Sequence, residues 1–237
     1  MNYDVYDNYN NQYTAANISG SLARTYRWMF LGLMVTFGVG FAGYVTGAVW
    51  YLMRSPVVLI GLTILQFVLV FRLSGHINRL SAGSAVRNFF AYAVLNGVIF
   101  SSYFLMFNLG SMIFAFVAAA LYFGVMALYG SRTSKDLSSW GTMLFAGLIS
   151  LLVCSVLGLL FGMFGMMEIL YCGVGLVVFM GLTAYDVQRL SYMFSHVQPG
   201  TEMAEKVSIY GALNLYMDFI NIFLYIVRLV GRSNSDN

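Results

Sequence analysis

The chain has 237 residues, of which 60% are hydrophobic and only 9% charged, with a formal net charge of +3 at pH 7. Soluble domains carry about 25% charged residues, so a water-exposed surface could not be covered and a soluble globular protein is excluded. No basic stretch with interleaved aromatic residues is dense enough to bind nucleic acid. Long unbroken apolar runs favour membrane-spanning helices over a barrel, whose strands alternate with a period of two.

The first 23 residues form a polar segment that is rich in Asn and Tyr and has no apolar period. Such a segment buries too little apolar surface to offset the entropy of ordering, so we predict a disordered N-terminal tail over 1–23. Residues 24–232 are predicted to form a single transmembrane helical domain. A short polar C-terminal tail is predicted over 233–237.

Seven apolar runs follow the tail, and each comes close to the ~20 residues that cross ~30 Å of hydrocarbon. They cover 28–52, 56–72, 88–107, 111–129, 142–164, 168–188 and 207–229. Ser55 and Pro56 are a typical N-cap and first-turn pair for the start of the second run. Cys154 and Cys172 lie inside apolar runs and are predicted to be buried free thiols. The sequence therefore predicts an all-α protein with seven transmembrane helices.

The basic residues predict that the N-terminus is cytoplasmic, because cytoplasmic loops carry an excess of Lys and Arg. With that orientation nine of the twelve lie inside: Arg24, Arg27, Arg72, Arg79, Arg87, Arg132, Lys135, Arg189 and Lys206. Arg54, Arg228 and Arg232 fall outside. A last run that re-enters without crossing would leave six spans and bring Arg228 and Arg232 inside. We prefer seven spans, because early charges usually dominate the orientation.

Two acidic residues stand out because they lie within the last two runs rather than in loops. Asp186 is near the inner end of the sixth run, and Asp218 lies in the middle part of the seventh. If the last helix enters the membrane near residue 208, Asp218 is about 15 Å deep at 1.5 Å per residue. An ionised carboxylate there is costly, so we expect it to face the protein interior or water and to have a partner.

Polar and small residues follow Asp218 at helical spacing along the seventh run. The set is Gly211, Asn214, Asp218, Asn221 and Tyr225, in steps of three and four. This pattern predicts one polar stripe on an otherwise apolar helix. A helix with such a stripe is expected to lie against other spans, with Asn214 and Asn221 supporting the acid.

The sixth and seventh runs are sequential and antiparallel, so Asp186 and Asp218 can approach each other from the inner side. Two close carboxylates do not both ionise easily and would share protons as a coupled pair. Carboxylate oxygens are also ligands for Ca²⁺, so the pair could bind a passing ion transiently. Arg72 ends the second run at the same inner level and could latch the pair. In the structural alternative, Arg189 satisfies Asp186, and Asn214 or Asn221 satisfies Asp218.

Four stretches of the sequence resemble the Bax-inhibitor family of membrane proteins, the transmembrane Bax inhibitor motif proteins, and in particular its bacterial members. They are Leu80–Gly83, Leu128–Gly130 with Lys135–Leu137, Gly181–Gln188 and Gly211–Phe223. The last two stretches are long and specific, and the likeness runs from about residue 20 to the end.

The resemblance implies a seven-helix fold in which six helices wrap a central last helix, and a pH-sensitive Ca²⁺ leak through the membrane. Ca²⁺ is then the permeant ion, and no tightly bound cofactor is implied. The membrane aspartates of the family fall on Asp186 and Asp218, and its latching arginine falls on Arg72. The bacterial likeness implies a bacterial inner membrane, with lipid, protons and Ca²⁺ as partners.

Two other classes of function remain to be weighed. An interaction protein that restrains a membrane-bound quality-control protease, or another channel, is the main alternative, since family members bind other membrane proteins. An intramembrane aspartyl protease would also need two acids that share a proton. Those enzymes have Gly-x-Gly-Asp at the second acid, whereas this chain has Leu215–Asp218, and Pro56 and Pro199 do not supply their proline segment. We therefore predict that the chain is not an enzyme.

Overall fold

The computed structural model describes residues 3–75, 77, 79–161 and 164–233, and these residues form helices and turns without a strand. The helices are α1 (Tyr3–Val45), α2 (Ala48–Met53), α3 (Pro56–Gly75), α4 (Ala82–Phe100), α5 (Tyr103–Met106), α6 (Leu109–Arg132), α7 (Ser138–Phe161), α8 (Phe164–Ser195) and α9 (Glu202–Ser233). Within these ranges, seven helical segments are long and apolar enough to cross a membrane. The predicted all-α class with seven spans is confirmed.

The first helix differs from its prediction at both ends. It begins at Tyr3, inside the segment predicted to be a disordered tail. Once a helix exists, each further residue adds a hydrogen bond at little cost, and Leu22 and Thr25 already anchor the segment because both are buried. The other end lies at Val45, because Gly47 adopts φ +75° and separates the short α2 from α1. The predicted run 28–52 therefore contains a break.

Side-chain caps fix the start of several helices. α3 begins at Pro56, as predicted. Ser81, Asn108 and Thr201 precede α4, α6 and α9, and each side-chain oxygen accepts a hydrogen bond from the backbone N–H three residues later, at 3.3, 2.8 and 3.3 Å. These bonds satisfy backbone donors that a helix leaves free in its first turn. The turn before α9 also uses Gly200 at φ +78°.

The chain divides into two compact units, and the first contains residues 1–105 and 190–216. It holds α1 to α4, all but the last residue of α5, the end of α8 and the first half of α9. In its interior the rings of Phe89 and Tyr216 meet edge to face, with centroids 5.9 Å apart. The Tyr216 hydroxyl lies 2.6 Å from Oγ1 of Thr36, which itself donates to the Ala93 carbonyl at 2.9 Å. These bonds join α9 to α1 and α4.

The second unit contains residues 106–189 and 217–237. It holds α6, α7, most of α8 and the second half of α9. The ring of Phe219 packs edge to face on Phe116 and Phe123 of α6, with centroids 5.4 and 5.9 Å away. α6 also approaches α8 closely, since a Cβ at Gly130 would lie 2.8 Å from the Cα of Ala184. A glycine is needed there because the obstacle is backbone.

The last helix is far more buried than the second span. In its most apolar stretch 56% of the residues are buried, against 6% in α3. Most apolar side chains in the middle of α9 are buried together with Asp218, so burial is not confined to one stripe. The central position of the last helix stays a prediction. Of the two cysteines Cys172 is buried as predicted, whereas Cys154 is exposed.

Candidate functional site

The structure brings Asp186 and Asp218 together inside the second unit. Asp186 lies on α8 and is half-buried. Asp218 lies on α9 with 4% of its surface exposed, and it is close enough to Asp186 for their charges to interact. The two acids are therefore near enough to affect each other across α8 and α9, while their role in an ion pathway stays a prediction.

Thr183, one turn before Asp186, completes the contact between α8 and α9. Its side chain is fully buried and lies within hydrogen-bonding reach of the Asp218 carboxyl group. The hydroxyl of Thr183 donates to the Phe179 carbonyl at 2.8 Å. Oδ2 of Asp218 is buried and has no hydrogen-bond partner in the described part of the chain. A buried oxygen without a donor is costly if it carries charge, so this environment favours a neutral carboxyl group at Asp218.

Asp186 has a basic neighbour on its own helix. Arg189 follows one turn later, and its positive charge acts on the Asp186 carboxylate. The structural alternative for Asp186, an ion interaction with Arg189, therefore has a geometric basis. An ion interaction of this kind does not explain Asp218, because its neighbours on α8 are the acid Asp186 and Thr183.

The two asparagines of the predicted stripe do not satisfy Asp218. Asn214 and Asn221 are both half-buried on α9. Nδ2 of Asn221 donates to the backbone carbonyl of Met217 at 2.8 Å, rather than to the acid. Among the residues that the structure describes, Thr183 lies within reach of the Asp218 carboxyl group, and the sequence pattern did not single it out. Its position three residues before Asp186 on the same helix face was the available signal.

Arg72 lies in the last turn of α3, where its side chain is exposed. This position agrees with the prediction that Arg72 ends the second span. Arg72 belongs to the first unit and the acids to the second, so its role as a latch stays a prediction.

Gln188 holds the loop between α6 and α7 against α8. Its Oε1 accepts a hydrogen bond from the Leu137 N–H at 2.8 Å, and its Nε2 donates to the Lys135 carbonyl at 2.8 Å. One side-chain amide therefore satisfies a donor and an acceptor of the loop backbone. This role of Gln188 could not be predicted from the sequence, because a lone glutamine near a helix end carries no distinguishing pattern.

Opposite faces of α8 serve the loop and the acid pair. Ala184 and Gln188 share one face, which contacts α6 and the α6–α7 loop. Thr183 and Asp186 project from the other side of the helix, since residues three apart are neighbours and one step turns the helix by about 100°. The loop contacts therefore help to fix the rotation of α8 that points Thr183 and Asp186 at α9.

The loop contains an acid of a different kind. Asp136 lies outside the spans, and its Oδ1 accepts a hydrogen bond from the Ser138 N–H at 2.9 Å. Hydrogen bonds from the side chain and backbone of Ser138 lower the pKa of Asp136. A carboxylate at the start of α7 also suits the positive end of the helix dipole. Asp136 is therefore an ionised capping residue, and not part of the buried pair.

The two carboxyl groups of the acid pair are few ligands for a metal ion. Ca²⁺ in proteins takes about six to eight oxygen ligands, and in the ranges described no group of three or more His, Cys, Asp or Glu side chains could hold a metal ion. Two carboxylates with waters suit brief contact with a passing cation better than a resident ion.

Known proteins are similar to this chain over nearly its whole length. The sequence profile of a family described as "Inhibitor of apoptosis-promoting Bax1" matches residues 18–235. The chain is 40% identical over 219 residues to inner membrane protein YbhL of Escherichia coli strain K12, covering 91% of this chain and 93% of that protein. It is also similar to uncharacterized proteins of Deinococcus radiodurans (37% over 219 residues, 92% and 93% covered) and Borreliella burgdorferi (34% over 216 residues, 91% and 93% covered).

Proposed function

This chain belongs to the Bax inhibitor family of integral membrane proteins, and from that premise we propose that it is a pH-sensitive calcium leak channel. The gate is the acid pair, Asp186 and Asp218, with Arg72 as its latch. The observation that carries the proposal is a carboxyl group buried to 4% exposure within a span, beside a second carboxyl group. Such groups are rare in membrane helices and mark ion or proton pathways.

Protonation changes the forces at this pair. When both groups are ionised, they repel each other in a medium of low dielectric constant and need a cation nearby. Arg72 can supply that charge from the inner end of α3. When the pair takes up a proton, the attraction to Arg72 weakens and α9 can shift. Ca²⁺ and protons then compete for the same oxygens, which makes the leak sensitive to pH.

The basic residues and the relatives also suggest where the protein lies. Nine of the twelve Lys and Arg residues fall on one side if the N-terminus is cytoplasmic, and a relative at 40% identity is described as an inner membrane protein. We therefore place the chain in a bacterial inner membrane with its N-terminus in the cytoplasm. The acid pair then lies towards the cytoplasmic end of α8.

Calcium flux in liposomes tests the proposal directly. The purified protein is expected to pass Ca²⁺ at a rate that changes with pH. Asp218→Asn is expected to abolish that dependence, because an amide of similar shape stays neutral at every pH. Asp136→Asn is the matched control, since it makes the same change at an exposed acid outside the spans and should leave the pH profile unchanged.

Two results would contradict the leak. One is an unchanged flux and pH profile in Asp218→Asn. The other is the absence of flux in the wild-type protein together with co-purification of one dominant membrane protease, which would favour the interaction protein that restrains such a protease.

A further inference from the structure

Beyond the acid pair, the facing sides of α8 and α9 carry a second unusual contact, between Tyr225 and Gly175. Tyr225 follows Asp218 by about two turns of α9, and Gly175 precedes Asp186 by about three turns of α8. Both spacings return close to the same face of the helix. Because the helices are antiparallel, Tyr225 and Gly175 lie along the same seam as the acids, towards the end where α8 begins.

The ring of Tyr225 occupies the space that a side chain at position 175 would need. A Cβ at Gly175 would lie 2.6 Å from Cε2 and 2.8 Å from Cε1 of Tyr225. The ring is therefore seated directly on the α8 backbone, and only 6% of Tyr225 is exposed. The rings of Tyr171 and Phe179 lie on α8 with centroids 5.7 and 5.9 Å from that of Tyr225. Together, Tyr171, Phe179 and Tyr225 form an aromatic collar around Gly175.

Charged groups resume on the far side of the collar. Arg228 lies one turn beyond Tyr225 on α9 and acts on it electrostatically. Arg228 and Glu168 also both act on Cys172. The seam therefore runs from the acid pair, past the aromatic collar, to an end of the two helices that carries charges of both signs.

We infer that Tyr225, seated on Gly175, is the outer gate of the pathway that the acid pair serves. This inference rests on the proposed function, since it assigns a gate to that leak. Narrow apolar constrictions exclude water and block ions without touching them, and Ca²⁺ is held in proteins by oxygen ligands rather than by ring carbons. An ion released from the acids towards the outside meets the collar and passes only when the Tyr225 ring swings away. The acids then sense pH, while the ring sets how much passes.

The first experiment compares calcium flux in liposomes for four variants. Tyr225→Ala removes the ring and is expected to raise the flux about tenfold, which corresponds to about 1.4 kcal/mol of barrier, without moving the midpoint pH. Gly175→Ala is expected to raise it in the same direction, because the new Cβ displaces the far end of a flexible side chain. Gly173→Ala is the matched control on the same helix, since a Cβ there meets nothing within 4 Å. Tyr225→Phe keeps the ring and is expected to behave like the wild type.

The second experiment asks whether the collar blocks access, and it does not depend on calcium conduction. Phe179→Cys, in a background without Cys154 and Cys172, places a thiol at the inner edge of the collar. A small membrane-impermeant thiol reagent added outside is expected to label it slowly, and markedly faster when Tyr225→Ala is added. Faster labelling without calcium flux in the wild-type protein would support the gate and overturn the calcium leak. Unchanged labelling together with unchanged or lower flux in Tyr225→Ala and Gly175→Ala would overturn the gate and leave the leak standing.

Discussion

At the residue scale, two fully buried threonines each donate their hydroxyl hydrogen to a backbone carbonyl. Thr36 gives its hydrogen to the Ala93 carbonyl, and Thr183 gives its hydrogen to the Phe179 carbonyl. A hydroxyl has only one hydrogen, so each oxygen can then only accept a further bond. The Tyr216 hydroxyl, 2.6 Å from Thr36, can donate at any physiological pH. Asp218 can donate to Thr183 only when it is protonated.

The contact between Thr183 and Asp218 gives a testable prediction. Thr183→Val removes the buried hydroxyl beside the Asp218 carboxyl group, while Phe179 keeps its helical backbone bond. The midpoint of the flux profile is expected to move by about half a unit to one unit, as for a hydrogen bond of about 1 kcal/mol. Thr183→Ser should restore the wild-type midpoint. An unchanged midpoint in Thr183→Val would show that this hydroxyl does not act on Asp218.

At the element scale, glycines decide how closely the helices approach. On α6, Gly130 faces the backbone of Ala184, whereas a Cβ at Gly124 would meet nothing within 4 Å. Backbone cannot rotate away as a side chain does. The contact of α6 with α8 therefore tolerates no side chain at residue 130, although residue 124 of the same helix tolerates one.

We expect Gly130→Ala and Gly124→Ala to act in opposite directions on stability. Gly130→Ala should destabilise the protein by about 1–3 kcal/mol, as overpacking typically does. Gly124→Ala should be neutral or stabilising, because Ala favours a helix over Gly by up to about 1 kcal/mol. Thermal unfolding in detergent would measure both. Equal effects would show that α6 and α8 do not approach closely at Gly130.

Polar contacts on two faces hold α8 in place. α8 presents one face to the α6–α7 loop through Gln188 and another to α9 through Thr183. α3, by contrast, is almost entirely exposed, as expected for a helix that faces lipid. The rotation of α8, and with it the direction of Asp186, is therefore tied to the α6–α7 loop.

At the scale of the whole molecule, the seven spans and the basic residues predict a topology. With a cytoplasmic N-terminus, Thr46 lies outside and Ser134 inside. In a background without the native cysteines, Thr46→Cys should react with a membrane-impermeant maleimide in intact spheroplasts, and Ser134→Cys only after permeabilisation. Ser235→Cys tests the last span, since seven spans place it outside with Thr46. Labelling of Ser235→Cys only after permeabilisation would favour six spans and a re-entrant last helix.

Composition and hydropathy are enough to predict that this protein lies in lipid and consists of membrane-spanning helices. With 60% hydrophobic residues and 9% charged ones, the chain has to bury its backbone bonds in helices within lipid, and run lengths near the membrane thickness give seven spans. The sequence also points to Asp186 and Asp218, because an acid in a span violates the apolar pattern. These properties depend on composition and on period along one chain.

The contacts of each acid become visible only when the helices are packed in three dimensions. Thr183 lies beside the Asp218 carboxyl group, while Asn221 donates to the Met217 carbonyl instead. Gln188 holds a loop about fifty residues earlier in the chain. Gly47 ends α1 before the apolar run does, and Tyr225 seats on Gly175. Such contacts depend on the rotation and spacing of helices distant in sequence. A hydropathy pattern contains no information on the rotation or the spacing of helices, so these contacts cannot be predicted from it.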